Sequence, residues 1–187
     1  MTRQRLLREA GVPYRVIGPG VDEEAAKVGL RAEGLSPREL ADALAELKAR
    51  CGFARTQVLT LGCDQTLEWA GQSLDKAADL ASLRTQLSQI RGHVHLLHSA
   101  AVLVDSGYPV WRHVSTSKLR MRRFSDDFMD SYIREEGQAL LSCVGGYRVE
   151  GIGAQLFDLI EGDTFSIQGL PLLPLLEALR QRGIVRS

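Results

Sequence analysis

The sequence has few of the features that mark secreted, zinc-stapled or membrane-bound proteins. It contains three cysteines in 187 residues, Cys51, Cys63 and Cys143, and no CxxC pair. This disfavours a disulfide framework or a structural zinc site and favours a reducing compartment. No apolar run approaches membrane-spanning length and no signal peptide is visible, so we expect a cytoplasmic protein that does not bind membranes. Basic and acidic residues balance at 23 each, which gives no reason to expect a nucleic-acid partner.

The residues that are present suit one compact α/β domain over residues 1–187. A hydrophobic fraction of 44% can build a sizeable core, and 25% charged residues is ordinary for a globular protein. Helical and strand-like patterns alternate along the chain, which is typical of an α/β fold. Arginine far outnumbers lysine, so the few lysines stand out as candidates for a specific role.

Local signals predict several amphipathic helices. The stretch Ser36-Pro37-Arg38-Glu39 is a capping box with proline at the first helical position, and leucines follow at helical spacing, so 37–50 is predicted as a helix. The other predicted helices are 3–10, 79–90, the segment that Ser125 caps, and the C-terminal stretch GLPLLPLLEALRQRG.

Strand patterns place one carboxylate in a notable position. The predicted strands are 14–24, within which Gly18-Pro19-Gly20 is predicted to form a loop, 57–63, 93–104, 110–122 and the stretch TFSIQ (164–168). On this prediction Asp64 follows an apolar strand directly, at the carboxyl end, where open α/β sheets hold their ligands. Because an unpaired buried carboxylate is costly, this position indicates a function rather than a plain turn.

Two acids and two lysines are candidates for phosphate chemistry. Glu23 follows a Gly-Pro-Gly loop, Lys48 lies late in a predicted helix, Asp64 follows a strand, and Lys76 lies in a polar segment. Two carboxylates can hold a divalent cation while lysines neutralise a polyphosphate. Taken singly, each of these charges also suits a solvated surface, and only the position of Asp64 argues against that interpretation.

The glycine-rich stretch CVGGYRVEGIGA (143–154) permits two interpretations. It could cradle a phosphate, which would require a strand before it and a helix start after it, or form a tight turn with close backbone packing. Glu150 lies between its glycine pairs. A carboxylate there can accept hydrogen bonds from the N1–H and the exocyclic amine of a guanine edge, and would repel a pyrimidine that presents carbonyl oxygens.

Short motifs in a fixed order run along nearly the whole chain. They are RQRLLREAGVPY, PGVDE, ALAELKA, LGCDQTL, SLDKA, RGHVHLLHSA, FSDDFMDSYI, GGYRVEGIGA and QGLPLLPLLEAL. Together they resemble the Maf family of nucleoside triphosphate pyrophosphatases, whose members convert a nucleoside triphosphate to the monophosphate and pyrophosphate with Mg²⁺ or Mn²⁺. The resemblance implies an elongated mixed β-sheet flanked by helices, two lobes around a cleft as in the inosine triphosphatase group, and a homodimer.

The resemblance also implies roles for individual residues. Asp64 matches the general base of the family and a metal ligand, and Glu23 matches the acid of the VDE motif that helps to bind the metal. Lys48 and Lys76 match lysines that hold phosphates. Arg3 matches the second basic residue of the family's SPRR-type loop.

Four positions bear on the base of the nucleotide. The subgroup acting on dTTP and UTP has Asp-Thr where this chain has Asp64-Gln65, and Gln65 with Glu150 resembles the 7-methyl-GTP subgroup. Cys143 before the glycines, in place of a Lys-Ala-Gly pattern, points the same way. Thr2 occupies a third specificity position that is usually aromatic in the methylguanine subgroup.

Two departures from the family pattern keep other hypotheses open. The family begins with an apolar strand and a serine loop, roughly LASxSP, where this chain has Met1-Thr2, so either this sequence starts late or the protein lacks the first strand and its serine. Loss of that strand would leave an open sheet edge and a weakened phosphate site. Lys76 is followed by Ala77 instead of the usual proline. The hypotheses are therefore a 7-methyl-GTP pyrophosphatase, a dTTP/UTP pyrophosphatase, and a catalytically impaired nucleotide-binding protein involved in cell-division control.

Overall fold

Helices and strands alternate along the chain, which confirms the α/β class. The computed structural model describes residues 2–18 and 20–186, so Met1, Pro19 and Ser187 lie outside the described residues. The described elements are, in chain order, α1 (Thr2–Glu9), α2 (Glu23–Ala32), α3 (Pro37–Thr56), β1 (Thr60–Trp69), β2 (Gln72–Leu74), α4 (Leu80–Ile90), β3 (Val94–Asp105), β4 (Tyr108–Met121), α5 (Asp126–Glu136), β5 (Phe157–Glu161), α6 (Thr164–Ile167) and α7 (Leu172–Gln181).

The strands form one sheet in the order β2-β1-β3-β4-β5. Every strand pair in the described residues is antiparallel, where the family resemblance implied a mixed sheet. Tight turns explain two of these pairs. Ala70-Gly71 and Ser106-Gly107 both have positive φ angles, as in the two-residue turns that reverse a hairpin.

Strand β1 is longer than predicted, and Asp64 lies inside it rather than after it. The strand continues to Trp69 because its later polar side chains find partners. The Thr66 hydroxyl donates to the carbonyl of Pro37 at 2.7 Å, and the Glu68 carboxylate contacts His98 Nε2 at 2.8 Å. These partners are distant in sequence, so the run of polar residues after Asp64 resembled the end of a strand.

Two other predicted strands were wrong because an aspartate caps a helix in each. In the segment 14–24, the described residues before Asp22 form an irregular loop, and the Asp22 side chain accepts a hydrogen bond from Ala25 N to start α2. In the segment 164–168, Asp163 accepts from Phe165 N and Ser166 N to start α6. Local hydrogen bonds from an N-cap residue therefore outweighed the strand-like alternation of apolar residues.

Two apolar clusters lie at opposite ends of one sheet face and define two lobes. One cluster contains Leu67, Leu97 and Leu119 under α4 and α5, and the other contains Leu103 with residues of α1 and α7. Between the clusters runs a polar row, Gln65-Ser99-Ser115, whose members are directly opposite one another in the strand register.

The open part of the β1 edge places a cleft beside this polar row. Strand β2 pairs only with residues 67–69, so residues 60–66 of β1 have no strand on that side within the described chain. Successive side chains of a strand face opposite sides. A cleft along this exposed edge can therefore be lined by both Asp64 and Gln65, although they point to opposite faces of the sheet.

Candidate active site

All the predicted site residues line one cleft of about 550 Å³. The cleft is bounded by α1, α2, α3, β1, the segment after β2 and the glycine-rich segment. The predicted residues on its wall are Thr2, Arg3, Glu23, Lys48, Asp64, Gln65, Lys76 and Glu150. Segments far apart in sequence thus bring their charged side chains to one place.

The floor of the cleft is a charged trio built from three separate elements. Lys48 Nζ of α3 donates to Asp64 Oδ1 of β1 at 2.5 Å and lies 2.8 Å from Glu23 Oε2 of α2. The side chains of Asp64 and Lys48 are only 7% and 14% exposed. One ammonium therefore contacts two carboxylates in a place that water reaches poorly.

Small residues bring α3 close enough to β1 for this contact. Gly62 lies two residues before Asp64 on the same face of the strand, against Ala45 and Ala49 of α3. A Cβ at Gly62 would overlap the carbonyl oxygen of Ala45. Ala45 and Ala49 are fully buried, together with Ala100 of β3. The distance between Lys48 and Asp64 is thus set by a helix that packs directly on the strand backbone.

The two carboxyl groups of the trio respond differently to their surroundings. Burial raises the pKa of Asp64 above its usual value, while the attraction of Lys48 and Arg3 limits the rise. Burial also acts to raise the pKa of Glu23, but Lys48, Lys27 and Lys76 together hold it below its usual value. Asp64 is therefore the stronger proton acceptor of the two, and Glu23 remains ionised to lower pH.

Arg3 connects α1 to β1 and to the turn after α6. Its Nε donates to Gly169 O at 2.7 Å, and a terminal nitrogen donates to Cys63 O at 3.2 Å. The neighbouring Cys63 thiol is not poised as a nucleophile, because burial raises its pKa to about 11 and keeps it protonated at neutral pH.

Gln65 is held in one orientation by acceptors from the polar row and α6. Its amide nitrogen lies 2.8 Å from Ser99 Oγ, 3.2 Å from Ser166 O and 3.0 Å from Ile167 O. The Ser99 hydroxyl donates to Ser166 O at 2.6 Å. Since these neighbours can all act as acceptors, the NH₂ group must face them, and the amide oxygen remains to face the cleft.

The glycine-rich segment forms a tight turn and not a phosphate-binding loop. Gly145 and Gly146 have φ angles of 78° and 66°, and a Cβ on either would overlap Leu67 or Leu83. The segment contains short 3-10 turns and leads into β5 rather than into an α-helix. Its glycines therefore serve close packing, which is one of the two interpretations that the sequence allowed.

The far wall of the cleft carries the remaining predicted residues. Glu150 Oε1 lies 3.6 Å from Arg148 Nε, and Arg148 also donates to Glu136 Oε2 at 3.2 Å. Cys143 lines the same wall. Thr2, at the start of α1, also lines the cleft.

Sequence reasoning missed four charged residues on the cleft wall, Lys27, Arg31, Asp75 and Arg148. Arg31 makes two hydrogen bonds of 2.8 Å to the two carboxylate oxygens of Asp75. The available signal was the spacing i, i+4, i+8 of Glu23, Lys27 and Arg31, which puts them on one helical face. That signal was lost because residues 14–24 were interpreted as a strand.

The chemistry of the trio suits a small divalent cation. Mg²⁺ is typically bound through one or two carboxylates, with water and substrate phosphates completing its shell. Glu23 and Asp64 provide two carboxylates that already approach one cationic nitrogen. No group of three or more His, Cys, Asp or Glu side chains is placed to hold a metal in the described residues, so phosphate oxygens would have to contribute. We conclude that the residues fit such an ion.

Comparison with known proteins assigns the chain to a family. Residues 1–182 match the sequence model described as Maf-like protein. A protein of Caulobacter vibrioides named nucleoside triphosphate pyrophosphatase is 50% identical over 181 residues, covering 97% of this chain and 91% of that protein. Proteins of Rhodospirillum rubrum and Granulibacter bethesdensis carry the same name, at 47% identity over 100% and 93% of the two chains and 48% over 96% and 91%. No helix in the described residues is both long and apolar enough to cross a membrane. The chain belongs to the Maf family.

Proposed function

We propose that this Maf protein hydrolyses 7-methyl-GTP to 7-methyl-GMP and pyrophosphate with a divalent cation. Its enzyme class, nucleoside triphosphate pyrophosphatase, follows from the family and from the shared name of relatives that match nearly the full chain. The observation that carries the residue assignments is the trio of Glu23, Lys48 and Asp64 on the floor of a cleft large enough for a nucleotide.

In this proposal Asp64 is the general base. It accepts a proton from a water molecule whose oxygen attacks the α-phosphorus, the bond from that phosphorus to the bridging oxygen breaks, and pyrophosphate leaves with the electron pair. A base works best when its pKa lies near the working pH. Burial, which raises the pKa of Asp64, improves it as a proton acceptor, while Lys48 keeps it ionised.

The cations around the trio would bind the phosphates. Lys48, Lys76 and Arg3 line the cleft near the carboxylates, and fixed positive groups stabilise the charge that develops on a leaving pyrophosphate. Glu23 and Asp64 would hold Mg²⁺ or Mn²⁺, which would neutralise phosphate oxygens when bound. Lys48 would then exchange part of its contact with these carboxylates for contact with phosphate.

Gln65 and Glu150 support a guanine base. The Gln65 amide oxygen and the Glu150 carboxylate both offer acceptors to the cleft. Guanine presents two donors, N1–H and the exocyclic amine, on its Watson–Crick edge, whereas uracil and thymine present two carbonyl oxygens there. Thr2 supplies no aromatic ring for stacking, so discrimination would rest on hydrogen bonds.

A product assay tests the proposal. The protein is incubated with Mg²⁺ or Mn²⁺ and with 7-methyl-GTP, GTP, dTTP, UTP or CTP, and monophosphate and pyrophosphate are separated by chromatography. We expect the highest kcat/KM for 7-methyl-GTP and no turnover when the divalent cation is removed by chelation. Faster turnover of dTTP and UTP would favour the pyrimidine assignment. No turnover of any nucleotide, with binding retained, would favour a nucleotide-binding protein that lacks catalysis.

A further inference from the structure

Helix α2 carries Glu23 but has only a weak apolar anchor, because Ala26 and Leu30 are no more than half-buried. None of its residues, all of them described, is buried, and Val28 is 68% exposed. The chain before it is an irregular loop. Since burial of an apolar face is what normally fixes a helix, we expect polar contacts to supply much of the attachment of α2.

Those contacts form one charged stripe along the cleft side of the helix. At its start Glu23 meets Lys48 at 2.8 Å. One turn later Lys27 Nζ lies 3.5 Å from Asp75 Oδ1. One turn further on, Arg31 donates hydrogen bonds of 2.8 Å to both carboxylate oxygens of Asp75. Lys27 is only 12% exposed, so water competes weakly for its contacts.

The acceptor of this stripe is the residue immediately before Lys76. Asp75 follows β2 directly, and its carbonyl oxygen accepts a hydrogen bond from the Gln86 side chain of α4 at 3.1 Å. The backbone of Asp75 is thus fixed to one lobe, while its side chain holds α2. Because Glu23 and Lys76 line the same cleft, any movement of α2 away from Asp75 would change the position of Glu23 relative to Lys76.

We propose that Arg31 and Asp75 are positioning residues that clamp α2 to the Lys76 segment and so hold Glu23 and Lys76 in register for the triphosphate. The inference rests on the proposed roles of Glu23 and Lys76. The bidentate Arg–carboxylate geometry supports a positioning role, because two parallel hydrogen bonds fix orientation as well as distance.

The chain contains a matched control. Arg84 and Asp130 form another two-bond pair, at 2.6 and 3.3 Å, between α4 and α5 and away from the cleft. Their side chains are 43% and 44% exposed, close to the 35% and 45% of Arg31 and Asp75. A general effect of losing a surface ion pair would therefore appear in both pairs.

The test is steady-state kinetics with Mg²⁺ on Arg31→Gln, Asp75→Asn and the double variant, with Asp130→Asn as control. The substrate is the nucleoside triphosphate that wild type turns over best. We expect KM to rise about fivefold in each single variant, with kcat nearly unchanged and no further rise in the double variant. Arg31→Lys keeps the positive charge but cannot make two parallel hydrogen bonds to Asp75. Its KM should therefore lie between that of wild type and that of Arg31→Gln. A purely structural defect would instead lower kcat at constant KM.

Two further measurements separate failure of the clamp from failure of the assigned roles. Hydrogen exchange of the α2 amides should be about fivefold faster in Asp75→Asn than in Asp130→Asn, and this readout needs no turnover. Lys76→Ala, measured in parallel, should raise KM at least as much as Asp75→Asn. If Lys76→Ala raises KM but Asp75→Asn changes neither KM nor exchange, the clamp is refuted and the role of Lys76 stands. If Lys76→Ala leaves KM unchanged, both the role and the positioning inference fail.

Discussion

The two ends of the cleft are built by opposite means. At the end that we propose binds phosphate, called the phosphate end, Glu23, Lys48 and Asp64 come from three elements and hold one another through side-chain charges. At the end that we propose binds the nucleobase, called the base end, Gln65 is held by the Ser99 hydroxyl and by backbone carbonyls of α6, in a neutral network. Removing Lys48 would leave two carboxylates without their shared cation, whereas removing one neutral partner of Gln65 costs less. We therefore expect changes at the phosphate end to affect chemistry and changes at the base end to affect choice of nucleotide.

The largest expected effect is loss of turnover in Asp64→Asn. An amide cannot take the proton of the attacking water, so kcat should fall by roughly 10²–10⁴-fold. Lys48 keeps Glu23 as a partner, so the fold should survive, with an unchanged circular dichroism spectrum. Asp130→Asn, on the surface, is the control. Wild-type turnover in the folded Asp64→Asn protein would remove Asp64 from the mechanism.

Lys48→Gln should lower kcat and shift the pH dependence of kcat. Loss of a phosphate-binding cation should reduce kcat by about 10²–10³-fold. Lys48 lowers the pKa of Asp64, so its removal should raise that pKa further. The base must be ionised, and activity is lost as pH falls through its pKa. The acid limb of the pH–kcat profile should therefore move to higher pH. An acid limb at the wild-type position would show that Lys48 does not act on the base.

Gly62→Ala should damage the phosphate end without changing a charge. The new methyl group would overlap the backbone of α3 and push Lys48 away from Asp64. Overpacking of this kind lowers the free energy of unfolding by about 1–3 kcal/mol, which thermal unfolding would measure, and kcat should fall with it. Gly29→Ala, where a Cβ meets open space in α2, is the matched control. Normal kcat in Gly62→Ala would mean that the distance from α3 to β1 is not critical.

The smallest effect is expected for Ser99→Ala at the base end. Without this acceptor the Gln65 amide is held only by the carbonyls of Ser166 and Ile167, so its orientation should be less fixed. The ratio of kcat/KM for 7-methyl-GTP to that for UTP should fall about three- to tenfold, while the acid limb of the pH profile stays in place. Ser115→Ala tests the same polar row, because the Ser115 hydroxyl contacts His113 instead. An equal change in both serine variants would contradict the assigned role of Ser99.

Much of the fold could be predicted because its signals are local. The capping box at Ser36 begins α3 and Ser125 caps α5, as predicted from the sequence. The long hairpin of β3 and β4 likewise lies close to the predicted strands 93–104 and 110–122. Local rules failed where the deciding partner was distant. The continuation of β1 past Asp64 depends on Pro37 and His98, which no pattern within residues 57–69 indicates.

Only part of the candidate site could be predicted from the sequence, again because some of its contacts join residues that are distant in sequence. The family resemblance identified residues that the structure brings to one cleft, although their roles remain predictions. Arg31 and Asp75 were missed because their pairing spans 44 positions in sequence. The orientation of Gln65 could not be read from the sequence either, since it depends on carbonyl groups of α6.

The alanine-rich contact between α3 and the sheet has a consequence for mutational tolerance. Ala41, Ala45, Ala49 and Ala100 are fully buried there, and none of them carries a functional group. In a scan of all single substitutions, these positions and Gly62 should reject every larger residue as firmly as the charged trio rejects neutral ones. Residues that do not contact the nucleotide would then look like active-site residues in such a scan. A larger side chain at these positions would push α3 away from the sheet and so move Lys48 away from Asp64, the proposed general base.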